Sequence, residues 1–346
     1  MTASEFGIRQ NVQNYSFCSI ASLKTFWQCD LCATASVAAY YAPDDPMYYK
    51  TDDKGGGNFT FVGVPDSAHI ASVTAESKSI SAVKVEAGLV TITANGHGLG
   101  GSGVTAAYIS GVTGLANRAY FVTVMNVNQF TINEILTGVS LGGAAYVQYV
   151  AIVTSAAHGC STGQRISVAG VAPSGGAVDI RGLTDNCGKI DDTTLSLPIA
   201  TSGGSYTPGS NAVLGDDGLS VPAADPTGTS GGVWKRMCPN FINVKWFGAV
   251  PDGSAVPGSK ATDNLAAFNA SVAAIPNTNG SSRLVVDGFY YLSDTLKIAK
   301  KVLVEGTGSA APSHFPSTML IFPKNVTGVR IYDQRNPDNP TGGLGE

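Results

Sequence analysis

Four pairs of adjacent aspartates, Asp44/Asp45, Asp52/Asp53, Asp191/Asp192 and Asp216/Asp217, are the side chains here best suited to acid–base chemistry. Cleaving a glycosidic bond needs two carboxyl groups converging on one bond. Neighbours on a strand point to opposite faces, so adjacent acids do not converge. All four pairs stand in turn-like surroundings, where aspartate bonds the local backbone. The sequence therefore assigns them to turns. His97 and His158 recur at equivalent places, each before a glycine. A shared metal would need further ligands and two facing copies. A turn histidine bonding local backbone explains both positions at once. Cys29-Asp-Leu-Cys32 is a C-x-x-C without the second ligand pair of a zinc site. It also lacks the βαβ context of a redox motif. All six cysteines, Cys18, Cys29, Cys32, Cys160, Cys187 and Cys238, read as plain thiols. The glycine tracts Gly55-Gly-Gly and Gly100-Gly-Ser-Gly lack the Lys-Ser/Thr ending of a phosphate loop. No catalytic residue, metal site or cofactor site is assigned to the chain.

The composition points the same way. Over 346 residues, only 13% are charged and the net charge is −4, without a run of like charges. A nucleic-acid partner is not expected. No apolar run is long enough to span a bilayer, and residues 1–6 lack the features of a signal peptide. Abundant Gly, Ser, Thr, Val and Ala favour short strands joined by tight turns.

The elements needed to position any site can be read along the chain. Ser19 is a candidate N-cap for a short helix with Ile20, Leu23 and Trp27 on one face. A strand follows from Ala35 towards Pro43, then a glycine turn feeds Asn58-Phe-Thr-Phe-Val. Tyr40-Tyr-Ala-Pro and Gly55-Gly-Gly-Asn-Phe resemble the opening of a small module of phage tailspikes. Asp44-Asp45-Pro46 departs from its usual Gly-Asp. The module's next landmarks come much later, as Gly215-Asp-Asp-Gly-Leu-Ser-Val and Gly232-Val-Trp-Lys-Arg. Residues 71–210 thus read as an insertion between two halves of one module, 1–70 and 211–242.

The insertion repeats itself. Val90-Thr-Ile-Thr-Ala-Asn-Gly-His97-Gly and Tyr108-Ile-Ser-Gly-Val are echoed by Ala151-Ile-Val-Thr-Ser-Ala-Ala-His158-Gly and Ile166-Ser-Val-Ala-Gly-Val. Short apolar–polar alternation bounded by glycine predicts a small β-barrel or sandwich in each copy, at 71–140 and 141–210. The pattern resembles the small barrel of the ubiquitin-activating-enzyme half-domain type, a likeness of fold alone.

From Asn243 the chain reads Asn-Val-Lys-Trp-Phe-Gly-Ala-Val-Pro-Asp-Gly, then Thr262-Asp-Asn-Leu-Ala-Ala-Phe, then Arg283-Leu-Val-Val-Asp-Gly-Phe-Tyr-Tyr-Leu. This resembles the entry to the right-handed parallel β-helix of tailspikes and pectate-lyase-like proteins. Thr262 or Asp263 is a candidate cap for a helix with Leu265, Phe268, Val272 and Ile275 on one face, ended by Pro276. The expected architecture is all-β. A small module is interrupted by two tandem barrels and followed, over 243–346, by a capping helix and the first strands of a β-helix. The resemblance implies a homotrimer in the phage virion, attached to tail or baseplate proteins and made in the host cytoplasm. A body beyond residue 346 would contact host surface polysaccharide. The enzymatic alternative is a capsule or O-antigen depolymerase with its active site in that body. Trp27, Tyr40, Tyr41, Tyr48 and Tyr49 are the candidate virion-interface residues. A third reading, the barrels as a carbohydrate-binding module, would draw on Tyr108, Tyr120 and Phe121.

Overall fold

The computed structural model describes residues 14–17, 19–26, 33–40, 55–100, 103–160, 162–181, 184–201, 203–237, 241–253, 261–275, 282–298, 302–306 and 318–331. The fold is all-β. The N-terminal segment comprises β1 (Asn14–Phe17), α1 (Ile20–Lys24), β2 (Thr34–Ala39) and β3 (Gly55–Val62). The middle segment begins with β4 (Ile70–Ser79), β5 (Ala82–Glu86), β6 (Leu89–Thr93), β7 (Gly103–Ser110), β8 (Arg118–Asn126) and β9 (Gln129–Ile135). It continues with β10 (Tyr146–Thr154), β11 (Arg165–Ser174), β12 (Thr184–Asn186), β13 (Gly188–Lys189), β14 (Thr194–Leu197) and β15 (Ser205–Gly215). Then come β16 (Ser220–Ala224), β17 (Gly231–Arg236), β18 (Phe241–Asn243) and α2 (Leu265–Ala273). The last strands are β19 (Ser282–Val286), β20 (Gly288–Tyr291), β21 (Leu296–Ile298), β22 (Val302–Gly306), β23 (Thr318–Ile321) and β24 (Val329–Ile331).

The two ends of the interrupted stretch share one sheet of five strands, ordered β1-β2-β3-β17-β16. β3 and β17 run antiparallel with Val62 opposite Val233 and Phe59 opposite Arg236. The two stretches that the sequence reads as halves of one module are thus adjacent in space. Trp234 is fully buried, ringed by Phe17, Phe26 and Phe61, and its Nε1–H donates to the Phe26 carbonyl at 3.0 Å. Ser19 caps α1 by accepting the Ser22 N–H, and Ile20 and Leu23 bury beside Phe59 and Trp234.

The internal repeat is written in the ladders. In the first copy β7 pairs β8, β8 pairs β9, and β9 pairs β6. In the second, β11 pairs β12, β13 pairs β14, and β14 pairs β10, so one strand of the scheme is split in two. The copies are not separate bodies. β4 and β10 pair along their length and serve both cores. Val147 and Tyr149 enter the first core with Val90 and Phe130, while Val150 and Ile152 enter the second with Ile166 and Leu195. Neither copy closes into a barrel by strand pairing among the described residues. In the first copy the open edges, β4 and β5, are consecutive. The chain bends between them, Ile80 N–H bonding to Ala145 and Ser81 N–H to Thr93. Entry and exit of the middle segment meet, since His69 bridges Val213 and the Leu214 N–H donates to Ala68 at 2.9 Å.

In the C-terminal segment β18, β19 and β22 form one parallel ladder, β20 and β23 a second, and β21 and β24 a third. Parallel bridges Asp252–Phe289 and Asp263–Tyr291 both add an earlier lap to the second, at β20. Successive laps therefore lie on one another along three faces. Phe268, Val272 and Ile275 join Leu284, Tyr290, Leu292 and Leu296 in one core, so α2 shields the apolar top of the stack. Its N-cap is Asn264, not Thr262 or Asp263. The Asn264 side chain bonds Val250 N–H and C=O at 2.7 and 3.0 Å, tying helix and turn together. Asp263 accepts the Leu265 N–H.

Candidate functional site

The joint between the five-stranded sheet, the middle segment and the stack gathers the most buried polar chemistry. β17 ends in Arg236, which is only 8% exposed. Its Nε–H donates to Gly218 at 2.6 Å, Nη1–H to Gly56 at 2.5 Å and Nη2–H to Gly55 at 3.3 Å, all backbone carbonyls. The guanidinium lies 4.5 Å from the Phe59 ring centre and 4.7 Å from that of Trp246. The glycine tract exists for this approach. A Cβ on Gly57 would sit 2.2 Å from Arg236 Nη1, and one on Gly55, at φ 65°, would sit 2.2 Å from the Lys245 carbonyl. The tract is a cradle for a side chain, in keeping with its lack of a phosphate-loop ending.

The Asp-Asp-Gly turn completes the joint. Asp216 Oδ1 accepts the N–H groups of Gly218, Leu219 and Ser220 at 3.0, 2.7 and 2.8 Å. Burial pushes its carboxyl pKa up against those donors, which favour the charged form. Asp217, at φ 58°, pairs with Lys24 of α1 at 2.5 Å, and Lys24 also donates to Ser167 of β11 at 2.8 Å.

A cleft of about 370 Å³ opens among Pro65, His158, Gln164, Asp216, Val233 and Arg236. It contains His158, Cys160 and Asp216, the residue types of a thiol hydrolase. Their geometry is not catalytic. His158 Nδ1 accepts the Cys160 N–H at 2.9 Å and Nε2–H donates to the Asp191 carbonyl at 3.0 Å, which leaves no ring nitrogen to act as a base. Burial pushes the Cys160 thiol up to about 12, away from the thiolate a nucleophile requires.

His97 repeats the arrangement. Its Nδ1 accepts the Leu99 N–H at 3.1 Å and Nε2–H donates to Asn126 at 2.8 Å, as the turn reading of both histidines expects. Asp191 accepts the Thr193 and Thr194 N–H groups at 2.8 Å, and Asp192 pairs with Lys189 at 2.7 Å. These are turn roles too. Asp44/Asp45 and Asp52/Asp53 lie outside the described residues, as do Cys18, Cys29, Cys32 and Cys238. Cys160 and Cys187 are buried. Among the described residues no cluster of three His, Cys, Asp or Glu could hold a metal ion, and no helix is long and apolar enough to cross a membrane.

Of the candidate interface aromatics, Tyr40 is half-buried and packs against the core around Trp234. Trp27, Tyr41, Tyr48 and Tyr49 lie outside the described residues. Tyr108, Tyr120 and Phe121 do not form one platform. Tyr120 is buried, while Tyr108 sits on the neighbouring strand with its hydroxyl bonded to Asn117. Sequence reasoning named the Trp-Lys-Arg strand and the glycine tract but missed that Arg236 joins them. The available signal was a cation closing an apolar strand, with an unexplained triple glycine upstream. Searches against protein-family profiles, curated proteins and solved structures give no match to this chain.

Proposed function

We propose that this chain is the virion-anchoring, N-terminal part of a phage tailspike, a structural component of a homotrimer attached to tail or baseplate proteins. The observation that carries the reading is the C-terminal stack. Laps of chain add parallel strands on three faces beneath a helix that covers their apolar end, as expected at the entry of a right-handed parallel β-helix. The five-stranded sheet supports it further, because β3 and β17 pair and carry the two separated stretches whose sequences resemble the tailspike module. In this reading the middle segment is a pair of small barrels, the first wound from β4 and β5 as one bent strand with β6, β9, β8, β7 and β10. Its place between module halves suits a spacer or a docking point for a neighbouring spike. The interface to the virion belongs to residues 1–70.

The test is reconstitution on spikeless particles. Full-length spike should occupy them and spike lacking residues 1–70 should not. Full occupancy by the truncated protein would overturn the anchoring role. Light scattering of the intact virion protein should give a trimer mass, and a monomer would overturn the assembly.

A further inference from the structure

The two histidine loops tolerate only one protonation state of the ring. In each, Nδ1 accepts a backbone N–H two residues on and Nε2–H donates to a carbonyl from another loop. A backbone N–H cannot reverse its role, so each ring must be the neutral Nε2–H tautomer. A second proton would sit on Nδ1, facing the N–H of Leu99 or Cys160, and would replace a hydrogen bond by a repulsive contact.

We propose that these loops are an acid-sensing latch, in which protonation of His158 frees residues 158–160 and opens the cleft between the second repeat and the five-stranded sheet. His158 is partly exposed, whereas His97 is fully buried. The groups facing His158 are Lys189 from β13, Asp191 and Asp192 from the turn before β14, and Cys160. Those facing His97 are the backbone of Asn126 and Gln129, the edge of Phe130 and the Tyr149 hydroxyl, which bonds the His97 carbonyl. Burial holds both rings below the ordinary histidine value of 6.5, with Lys189 adding to the effect at His158. A depressed folded-state value fixes the sign. The latch is fully closed above 6.5 and is lost as pH falls from there through the folded-state value. Within that window opening grows by up to about tenfold per pH unit.

His158, Gly159 and Cys160 line the cleft, and Cys160 is only 8% exposed, so opening has a chemical reporter. The full chain is labelled with dithiodipyridine between about pH 7.5 and 5, and Cys160 modification is read by peptide mass spectrometry. Rates are normalised to a free-cysteine peptide at each pH. Cys160 should react faster as pH falls below 6.5, approaching tenfold per unit, while circular dichroism stays unchanged. In H158N the amide oxygen replaces Nδ1 as acceptor for the Cys160 N–H without titrating, and the acceleration should vanish. Lys189→Met, at a half-buried position, removes a charge that holds the folded-state value down, so it should leave the onset near 6.5 but shrink the total acceleration, even if H158N does not fold. Equal labelling across the range, unaltered acceleration in H158N, undiminished acceleration in Lys189→Met, or loss of the whole fold together with Cys160 exposure would each overturn the latch.

Discussion

Replacing Arg236 by methionine tests whether the joint is held by directed hydrogen bonds or by apolar burial. Methionine keeps much of the stem's packing but leaves the carbonyls of Gly55, Gly56 and Gly218 without their donor. Each buried acceptor stranded this way costs roughly 1–3 kcal/mol. The site is 8% exposed, so water recovers part of that loss. Two ring contacts, with Phe59 and Trp246, add roughly 0.5–1 kcal/mol each. The expected destabilisation is about 4 kcal/mol, a large share of the roughly 5–15 kcal/mol typical of a domain. R236K should lose most of it as well, because a single ammonium cannot span three carbonyls as a planar fork does. Urea unfolding followed by tryptophan fluorescence reads both variants, Trp234 and Trp246 lying beside the site. If both unfold within about 0.5 kcal/mol of the parent, the usual scatter of surface substitutions, apolar burial alone holds the joint.

Gly57→Ala should destabilise the parent by about 2 kcal/mol or more, through its clash with Nη1 and the strain of a side chain at φ 151°, and in the R236M background only the strain should remain; an additive double-mutant cycle would show that the clash contributes nothing. Deleting residues 71–210 across a short Gly-Ser bridge should leave a folded five-stranded sheet, since His69 and Val213 already pair. Circular dichroism of a random chain would show instead that the middle segment is integral to that core. The purified chain should release no reducing ends or unsaturated uronate from capsule or lipopolysaccharide, and turnover above buffer would mean that the aspartate pairs are misread as turns.

Much of the backbone plan was legible because it rests on local chemistry. Alternation and glycine spacing exposed the repeat, and the histidine before each glycine marked the same turn in both copies. The Ser19 cap and the apolar face of α2 were equally local. What the sequence did not reveal depends on distant pairs. Nothing around Ile80 says that the chain passes there from pairing with β10 to pairing with β6. The sharing of β10 is hidden similarly: Val147, Tyr149, Val150 and Ile152 read as one apolar run, though they serve two cores. Asn264 takes the N-cap position without a side-chain cap bond, since its amide is engaged on Val250, a partner fourteen residues back, and Asp263 accepts the Leu265 N–H instead.

In a chain with few charges, buried or partly buried cations recur where its bodies meet. Lys24 reaches from α1 to Asp217 and Ser167, Arg236 from the sheet to Gly218 and the glycine tract, and Arg165 from the second repeat to the Phe247 carbonyl at 3.0 Å. Lys245, just after β18, pairs with Asp287 at 3.1 Å. Apolar contact is non-directional and would allow the bodies to slide over one another. A cation donating to fixed carbonyls or a carboxylate is directional, and it is costly to leave unpaired once buried. The middle segment is therefore not a loose appendage, although its adjacent ends make its insertion entropically inexpensive. Its orientation is set at the places where Lys24 and Arg165 engage, and the cleft at His158 lies on that same boundary. A change that weakens this boundary should loosen the middle segment as a unit before it disturbs either the sheet around Trp234 or the stack beneath α2.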